Sequence, residues 1–320
     1  MKCLVLGGGG FIGHHLANRL KKEGHEVHIV DQQWWITKED FPNFLIGDLT
    51  KASTFLKLDT DFDEVYQLAA DMGGAMYVFT QENDANIMLN SLQININVIN
   101  WMKKHKKVKR VFFSSSACVY NENNQMSKHS IDTRESSAYP ANPDSDYGWE
   151  KLTSERLYLA AARNYGLDVR IGRYHNVYGP ECDYLGNRPK SVAALSVKVI
   201  QAEEEIEIFG TGDQVRSFLY IDDCIDAPLN VMRSDYSEPL NIGSEQLVSI
   251  NQLVDWFIEL KGKKLRKKHV PGPVGVIARN SHNDLIRFHC AWYPQKKLSD
   301  GLKETYQWIE GQLTSPQVGD

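Results

Sequence analysis

This sequence predicts an α/β fold, a doubly wound parallel sheet followed by a smaller C-terminal α/β part, and three observations support it. Short apolar runs, as at 2–6 and 108–113, alternate with longer stretches of helical period. The first run leads straight into a glycine cluster and then a helix pattern. The run at 108–113 is apolar after its basic lead-in rather than alternating, as expected of a parallel strand covered on both faces. A chain of 320 residues is long enough to bury a sizeable core in one large domain or two.

Residues 2–6 read as the first strand from their aliphatic content. Gly7, Gly10 and Gly13 then give a G-x-x-G-x-x-G spacing, before a helix carrying Leu16, Ala17 and Leu20. Glycine permits the tight turn and lets backbone N–H groups at the helix N-terminus approach a pyrophosphate. With a strand before it and a helix after it, this motif predicts a dinucleotide on a Rossmann-like sheet. The second strand, 26–30, is closed by Asp31, about twenty residues past the glycines. An acid there bonds the ribose 2′-hydroxyl and favours NAD over NADP. After a short strand at 44–46, Asp48 is placed either near the adenine or as a turn aspartate.

The strand at 64–68 ends in small residues, Ala69 and Ala70, then Asp71-Met72-Gly73-Gly74, which suit close approach of a cofactor or sugar. Residues 86–101 predict a long helix with Ile87, Leu92, Ile96 and Ile99 on its apolar face. The basic run 103–107 reads as a solvated helix C-terminus complementing the dipole rather than as a nucleic-acid patch. The strand at 108–113 carries Ser114, Ser115, Ser116 and Cys118 at its C-terminal edge, where open α/β sheets hold their ligands. A polar, turn-rich loop spans 121–145. The next helix opens at Asp146 and holds Tyr147 and Lys151 four residues apart, on one face. An ammonium beside a phenol lowers the phenol pKa, which would make Tyr147 a general base near neutral pH.

A strand at 168–171 follows, and the composition shifts near Asn176. A helix at about 191–205, strands at 206–209 and 216–221, and a Ser249/Gln252 capping box before a helix to Leu260 come next. Pro271-Gly272-Pro273 breaks the chain, one more helix follows Arg279-Asn280-Ser281, and Leu302, Tyr306 and Ile309 mark the last. The domain expectation is a nucleotide-binding unit over 1–175, with segments returning from about 216–235, and a substrate domain over 176–320.

Composition excludes several classes. A net charge of −5 does not suggest a nucleic-acid binder. Five cysteines, an odd number with no CxxC and no zinc spacing, fit a reducing, cytoplasmic setting without a metal site. No apolar run approaches membrane-spanning length, and no signal peptide is read before the first strand.

Together the motifs resemble the extended short-chain dehydrogenase/reductase family, in its sugar-nucleotide-modifying branch, over nearly the whole chain. The resemblance is strongest to the GDP-mannose 3,5-epimerases. It rests on 68–74, Ser115-Ser116-Ala117-Cys118-Val119-Tyr120, 170–180, Asn241-Ile242-Gly243-Ser244, Pro271-Gly272-Pro273 and Arg279-Asn280-Ser281. It implies an oxidoreductive triad of Tyr147, Lys151 and Ser116, and an inverting acid/base pair of Cys118 and Lys190. The implied cofactor site for NAD takes Gly7, Gly10, Phe11, Ile12 and Gly13 from the glycine turn, then Asp31, Asp48 and Leu49. Leu68, Ala69, Ala70, Tyr147, Lys151 and Tyr174 complete it. Gly73, Ser116, Cys118, Asn176 and Lys190 would meet the sugar, and Lys198, Arg216 and Arg279 the nucleotide diphosphate. A nucleotide sugar, a GDP-hexose before others, is the implied substrate, and a homodimer through the helices near 86–101 and 147–163 the implied assembly.

The implied chemistry is self-consistent. A carbon-bound hydrogen is hard to remove unless it lies α to a carbonyl, and transient oxidation at C4 makes C3 and C5 α positions. Inversion then needs a base on one face and an acid on the other, and a thiolate with an ammonium suits that. A 4-epimerase, a 4,6-dehydratase, a C4-dehydrogenase and a silent NAD(H)-binding regulator stay open as alternatives. The sugar and the base stay open as well.

Overall fold

The computed structural model describes residues 1–32, 40–105, 107–186 and 188–314. Lys106 of the basic run and Asn187, three before Lys190, lie outside them. In chain order the first half runs β1 (Lys2–Leu6), α1 (Phe11–Lys22), β2 (Glu26–Asp31), β3 (Phe44–Ile46), α2 (Ala52–Phe55), β4 (Glu64–Gln67), α3 (Ala75–Val78), α4 (Asp84–Lys104), β5 (Arg110–Ser116), α5 (Asp146–Tyr165), β6 (Asp168–Tyr174) and β7 (Val177–Tyr178). The second half runs α6 (Ser191–Gln201), β8 (Glu205–Phe209), β9 (Val215–Ser217), β10 (Leu219–Tyr220), α7 (Ile221–Arg233), β11 (Leu240–Ile242), β12 (Leu247–Ser249), α8 (Ile250–Lys261), β13 (Arg266–Val270), β14 (Ala278–Arg279), α9 (Asp284–Cys290) and α10 (Leu298–Thr314).

Seven strands make one sheet in the order β11-β6-β5-β4-β1-β2-β3, every adjacent pair parallel. The doubly wound reading is visible within a single strand. Cys3 and Val5 of β1 belong to a core shared with Leu16 and Leu20 of α1. Leu4 and Leu6 belong to another, with Val98 and Met102 of α4 and Tyr158 of α5. Side chains alternate faces along a strand, so a strand buried on both faces must be apolar at every position. The order reverses between β1 and β4, and a doubly wound sheet opens its ligand crevice at such a switch point.

The C-terminal half differs from its reading in several places. The helix from Ser191 stops at Gln201, because Ala202 turns extended (φ −67°, ψ 137°) and the chain enters β8 at Glu205. The expected strand over 216–221 is two short strands, and Ile221 already begins α7. The run 221–233 is a helix that its sequence does not predict, with Pro228 inside it. Yet it carries two helix signals, Asp222 and Asp223 in the first turn and Arg233 in the last. The return to the large sheet also extends past 235: α7 packs on α1, β5 and β6, and β11 pairs with β6. The expected capping box is present, Ser249 and Gln252 each bonding the other's backbone N–H. No helix among the described residues is long and apolar enough to cross a membrane.

Candidate active site

One cavity of about 1290 Å³ opens along the C-terminal edge of the sheet, and it is lined by every residue singled out above as cofactor-binding, substrate-binding or catalytic. A pocket for one small molecule is roughly 300–1,000 Å³, so this one has room for a dinucleotide and a second ligand.

The glycine turn is built for close backbone approach. Gly7 sits at φ +82°, and a Cβ on Gly13 would lie 2.0 Å from the Gly7 carbonyl oxygen. Gly10 caps α1 without any side-chain hydrogen bond, so the N–H groups of the first turn face the cavity beside Phe11 and Ile12. Asp31 accepts N–H bonds from Gly9 (2.9 Å) and Gln32 (2.6 Å) at the end of β2. Asp48 accepts from the Thr50 N–H (2.9 Å) and hydroxyl (2.6 Å), so it is a turn aspartate that also lines the cavity. A side-chain-free cradle at a helix N-terminus with an acid at the next strand end fits a dinucleotide.

Ser116 ends β5, and its Oγ accepts from the Cys118 N–H at 3.2 Å. Tyr147 lies in the first turn of α5, whose Ser145 cap accepts from the Gly148 N–H. Gly148 has a local reason to be glycine: a Cβ there would stand 2.2 Å from the Cys118 carbonyl oxygen. Lys151 Nζ stands 5.7 Å from the Tyr147 ring centre and donates to the Ser114 carbonyl at 3.0 Å.

One electrostatic expectation is corrected. Tyr147 is pushed well above the ordinary phenol range, first by burial and then by its neighbours Cys118 and Glu150, with the Ser116 hydroxyl opposing. Lys151 is itself pushed down by burial, against Glu150 and Glu155. A buried ammonium that resists its own charge lends little stabilisation to a phenolate beside it.

The inverting pair expected from sequence, Cys118 and Lys190, faces the same space. Cys118 lies on a short turn after β5, and burial with the nearby Asp144 raises its thiol while Arg279 opposes. Lys190 caps α6, and burial lowers its amine, with Cys224, Cys118 and Cys182 opposing. Its loop is pressed against the loop after β4: Gly74 N–H donates to the Arg188 carbonyl at 2.8 Å, and a Cβ on Gly74 would meet the Pro189 carbonyl oxygen at 2.1 Å. Arg188 stacks on Tyr77 at 4.3 Å. A Cβ on Gly73 would collide with the same tyrosine at 2.7 Å.

The polar wall is arranged differently from its reading. Asn176 (φ +35°) donates its amide to the Ser217 carbonyl at 2.9 Å, tying β6 to β9. Arg216 donates to four backbone carbonyls, at Val215, Val274, Val276 and Ile277. Burial and then the Arg279 charge push it down to about 10. Lys198 bonds the Glu207 carbonyl and lies over the Phe209 ring at 4.6 Å. Among the described residues neither Arg216 nor Lys198 forms an ion pair, so both keep their charge for a ligand. Arg279, by contrast, is ion-paired to Asp144 at 2.6 Å and donates to Gln125 Oε1 and to Cys118 Sγ. The sequence reading missed Asp144, Gln125 and Arg188, because polar loop residues carry no periodic signal.

Outside this cavity, His14, His15 and Glu181 cluster at the start of α1, with His14 Nε2 2.7 Å from Glu181.

Three comparisons bear on the site. The NAD dependent epimerase/dehydratase family matches residues 3–243. The GDP-mannose 3,5-epimerase of Arabidopsis thaliana is 39% identical over 98% of this chain and 83% of its own length. The solved UDP-glucose 4-epimerase of Thermotoga maritima, with UDP-glucose, is 28% identical with a TM-score of 0.86, covering 98% of this chain and 100% of that one. The UDP-glucuronic acid 4-epimerase of Bacillus cereus, solved with UDP-glucuronic acid and NAD, is 25% identical with a TM-score of 0.80, again over 98% and 100%.

Proposed function

Because the chain belongs to the NAD dependent epimerase/dehydratase family, we propose that it is an epimerase of a nucleotide sugar that inverts carbons next to C4, with GDP-mannose the first substrate to try. The observation that carries this reading is the second pair of reactive groups in the cavity. Removing and returning a hydrogen at the C4 oxygen and carbon needs only Tyr147, Ser116 and the cofactor. Cys118 and Lys190 are additional, and burial pushes the thiol up and the amine down, toward the neutral forms rather than the thiolate and ammonium expected from sequence. A neutral thiol holds a proton to give, and a neutral amine holds a lone pair to receive one. Identity of 39% to a GDP-mannose 3,5-epimerase supports the same reading.

The cofactor is NAD, held by the Gly7–Gly13 cradle and Asp31, and when bound it supplies a reversible hydride acceptor for C4. Tyr147 exchanges the C4 hydroxyl proton, the positive charge of oxidised NAD, when bound, favouring the phenolate that burial alone disfavours. Ser116 Oγ bonds the same oxygen, and Lys151, anchored on the Ser114 carbonyl, fixes the tyrosine's surroundings. Arg216 and Lys198 take the diphosphate, since neither forms an ion pair among the described residues. A homodimer through α4 and α5 belongs to the proposal, supported by exposed Leu89, Ile96 and Trp149 on those helices. Sedimentation tests it, and a monomer at micromolar concentration would refute it.

The 4-epimerase alternative rests on the fold likeness to the Thermotoga enzyme, and one experiment separates the two. The protein is incubated with GDP-mannose in D₂O without added cofactor, and the sugar protons are followed by NMR. The proposal expects deuterium at C5, C3 or both and none at C4. A 4-epimerase labels no carbon, a 4,6-dehydratase labels C6, and a silent binder changes nothing. Turnover of the nucleotide sugar without label at C3 or C5 overturns the proposal.

A further inference from the structure

The cavity wall holds a buried carboxylate, Asp144, that the proposed reaction leaves without a task. The Asp144 side chain is only 3% exposed, and its Oδ2 accepts from Arg279 Nη2 at 2.6 Å. The same guanidinium holds Gln125 Oε1 with Nε at 2.5 Å and stands Nη1 3.2 Å from Cys118 Sγ. A guanidinium is planar and rigid, so fixing Nη2 and Nε fixes where Nη1 points. Arg279 is thereby aimed at the sulfur.

We propose that Asp144 is a positioning residue for Cys118: it clamps Arg279 onto the sulfur and offsets its charge there, so that Cys118 stays a protonated thiol able to donate a proton. The proposal rests on reading Cys118 as a member of the inverting pair. An arginine alone beside a thiol favours the thiolate, which would turn an acid into a nucleophile. The carboxylate on the far side of the guanidinium opposes that. The physical balance agrees: burial and then Asp144 raise the thiol, and Arg279 only partly offsets them. The other titratable groups facing Cys118 are Tyr147 on α5, Lys190 at the start of α6 and Arg216 on β9. A purely structural role explains the pair poorly, since a buried ion pair adds little net stability over apolar packing.

The test needs neither substrate nor turnover. Carbamidomethylation of the purified, cofactor-loaded protein by iodoacetamide is followed from pH 6 to 10 and mapped by peptide mass. Mapping separates Cys118 from the half-buried Cys182, and Cys3, Cys224 and Cys290 are buried. Asp144→Asn is expected to move the Cys118 midpoint down by about one pH unit, raising the rate at pH 7 roughly tenfold. Asp144→Glu keeps the wild-type midpoint, and Arg279→Gln raises it. A midpoint for Asp144→Asn equal to wild type, or an equal shift in Asp144→Glu, overturns the proposal. If Asp144→Asn does not fold, Arg279→Gln decides: an unchanged midpoint is fatal. Because no sugar is present, the outcome is independent of deuterium labelling. A shifted thiol without label at C3 or C5 sinks the epimerase reading alone, and label without a shifted thiol sinks this one alone.

Discussion

Gly148→Ala puts a methyl carbon 2.2 Å from the Cys118 carbonyl oxygen and 2.9 Å from Pro143 Cβ. Ordinary carbon–oxygen contact begins at about 3.3 Å, so α5 and the Cys118 turn must part by about 1 Å. Two energies compete. Alanine in a helix is about 1 kcal/mol better than glycine. Overpacking a tight contact costs about 1–3 kcal/mol. The net loss of stability is therefore about 0–2 kcal/mol, and the protein stays folded with its melting temperature lowered by a few degrees. The chemistry suffers more. The parting moves Cys118 relative to Tyr147, the neighbour of Gly148, and a 1 Å misplacement costs on the order of 100-fold in rate. The assay pairs a thermal melt with the initial rate of nucleotide-sugar turnover at saturating substrate. The expected result is a nearly unchanged melt with kcat down about 100-fold. Turnover within about threefold of wild type would refute the argument that Gly148 sets the distance between the two groups.

Arg216→Ala removes a charged donor with no acid partner among the described residues. GDP binding measured by calorimetry should weaken by about 1.5–3 kcal/mol, with NAD released on denaturation unchanged; unaltered GDP affinity would place the diphosphate elsewhere. A third prediction concerns acid stability. His175 is fully buried, bonds Asn241 at 2.9 Å, and is pushed by burial from 6.5 down to about 3. The unfolded chain then binds the extra proton between those values. Stability is full above pH 6.5 and falls as pH drops through the window, by up to about 1.4 kcal/mol per pH unit. Urea unfolding of wild type at pH 6.5 and 4.5 should differ by about 2–3 kcal/mol more than that of His175→Gln. Equal differences would show that other groups set the acid limb.

Local signals made the first half readable. β1 and the 111–113 stretch of β5 are apolar runs buried on both faces, and β2, β4 and β6 carry enough aliphatic and aromatic residues between their polar ones to read as strands. The Gly7–Gly13 turn, Ser116, Tyr147 and Lys151 each sit at a fixed offset from an element boundary. Once those elements form, the topology brings them to one edge, and the cavity lining follows. The second half was less legible because its elements are short. Strands of two or three residues such as β7, β9 and β10 are held by pairing with distant segments and carry no period of their own. The return of β11 to the edge of the large sheet is of the same kind.

By itself, then, the sequence determined the sheet up to β6, the dinucleotide cradle and the residues that converge on one cavity, because periodicity and glycine spacing are local properties. Only the tertiary structure decided the state of those residues. Whether Tyr147 is raised or lowered depends on burial set by α4 and α5. Whether Arg279 faces a phosphate or a thiol depends on Asp144, a loop aspartate 135 positions away. Charge in a low-dielectric cavity is settled by what lies within a few ångströms, and that neighbourhood is assembled from segments the chain keeps far apart.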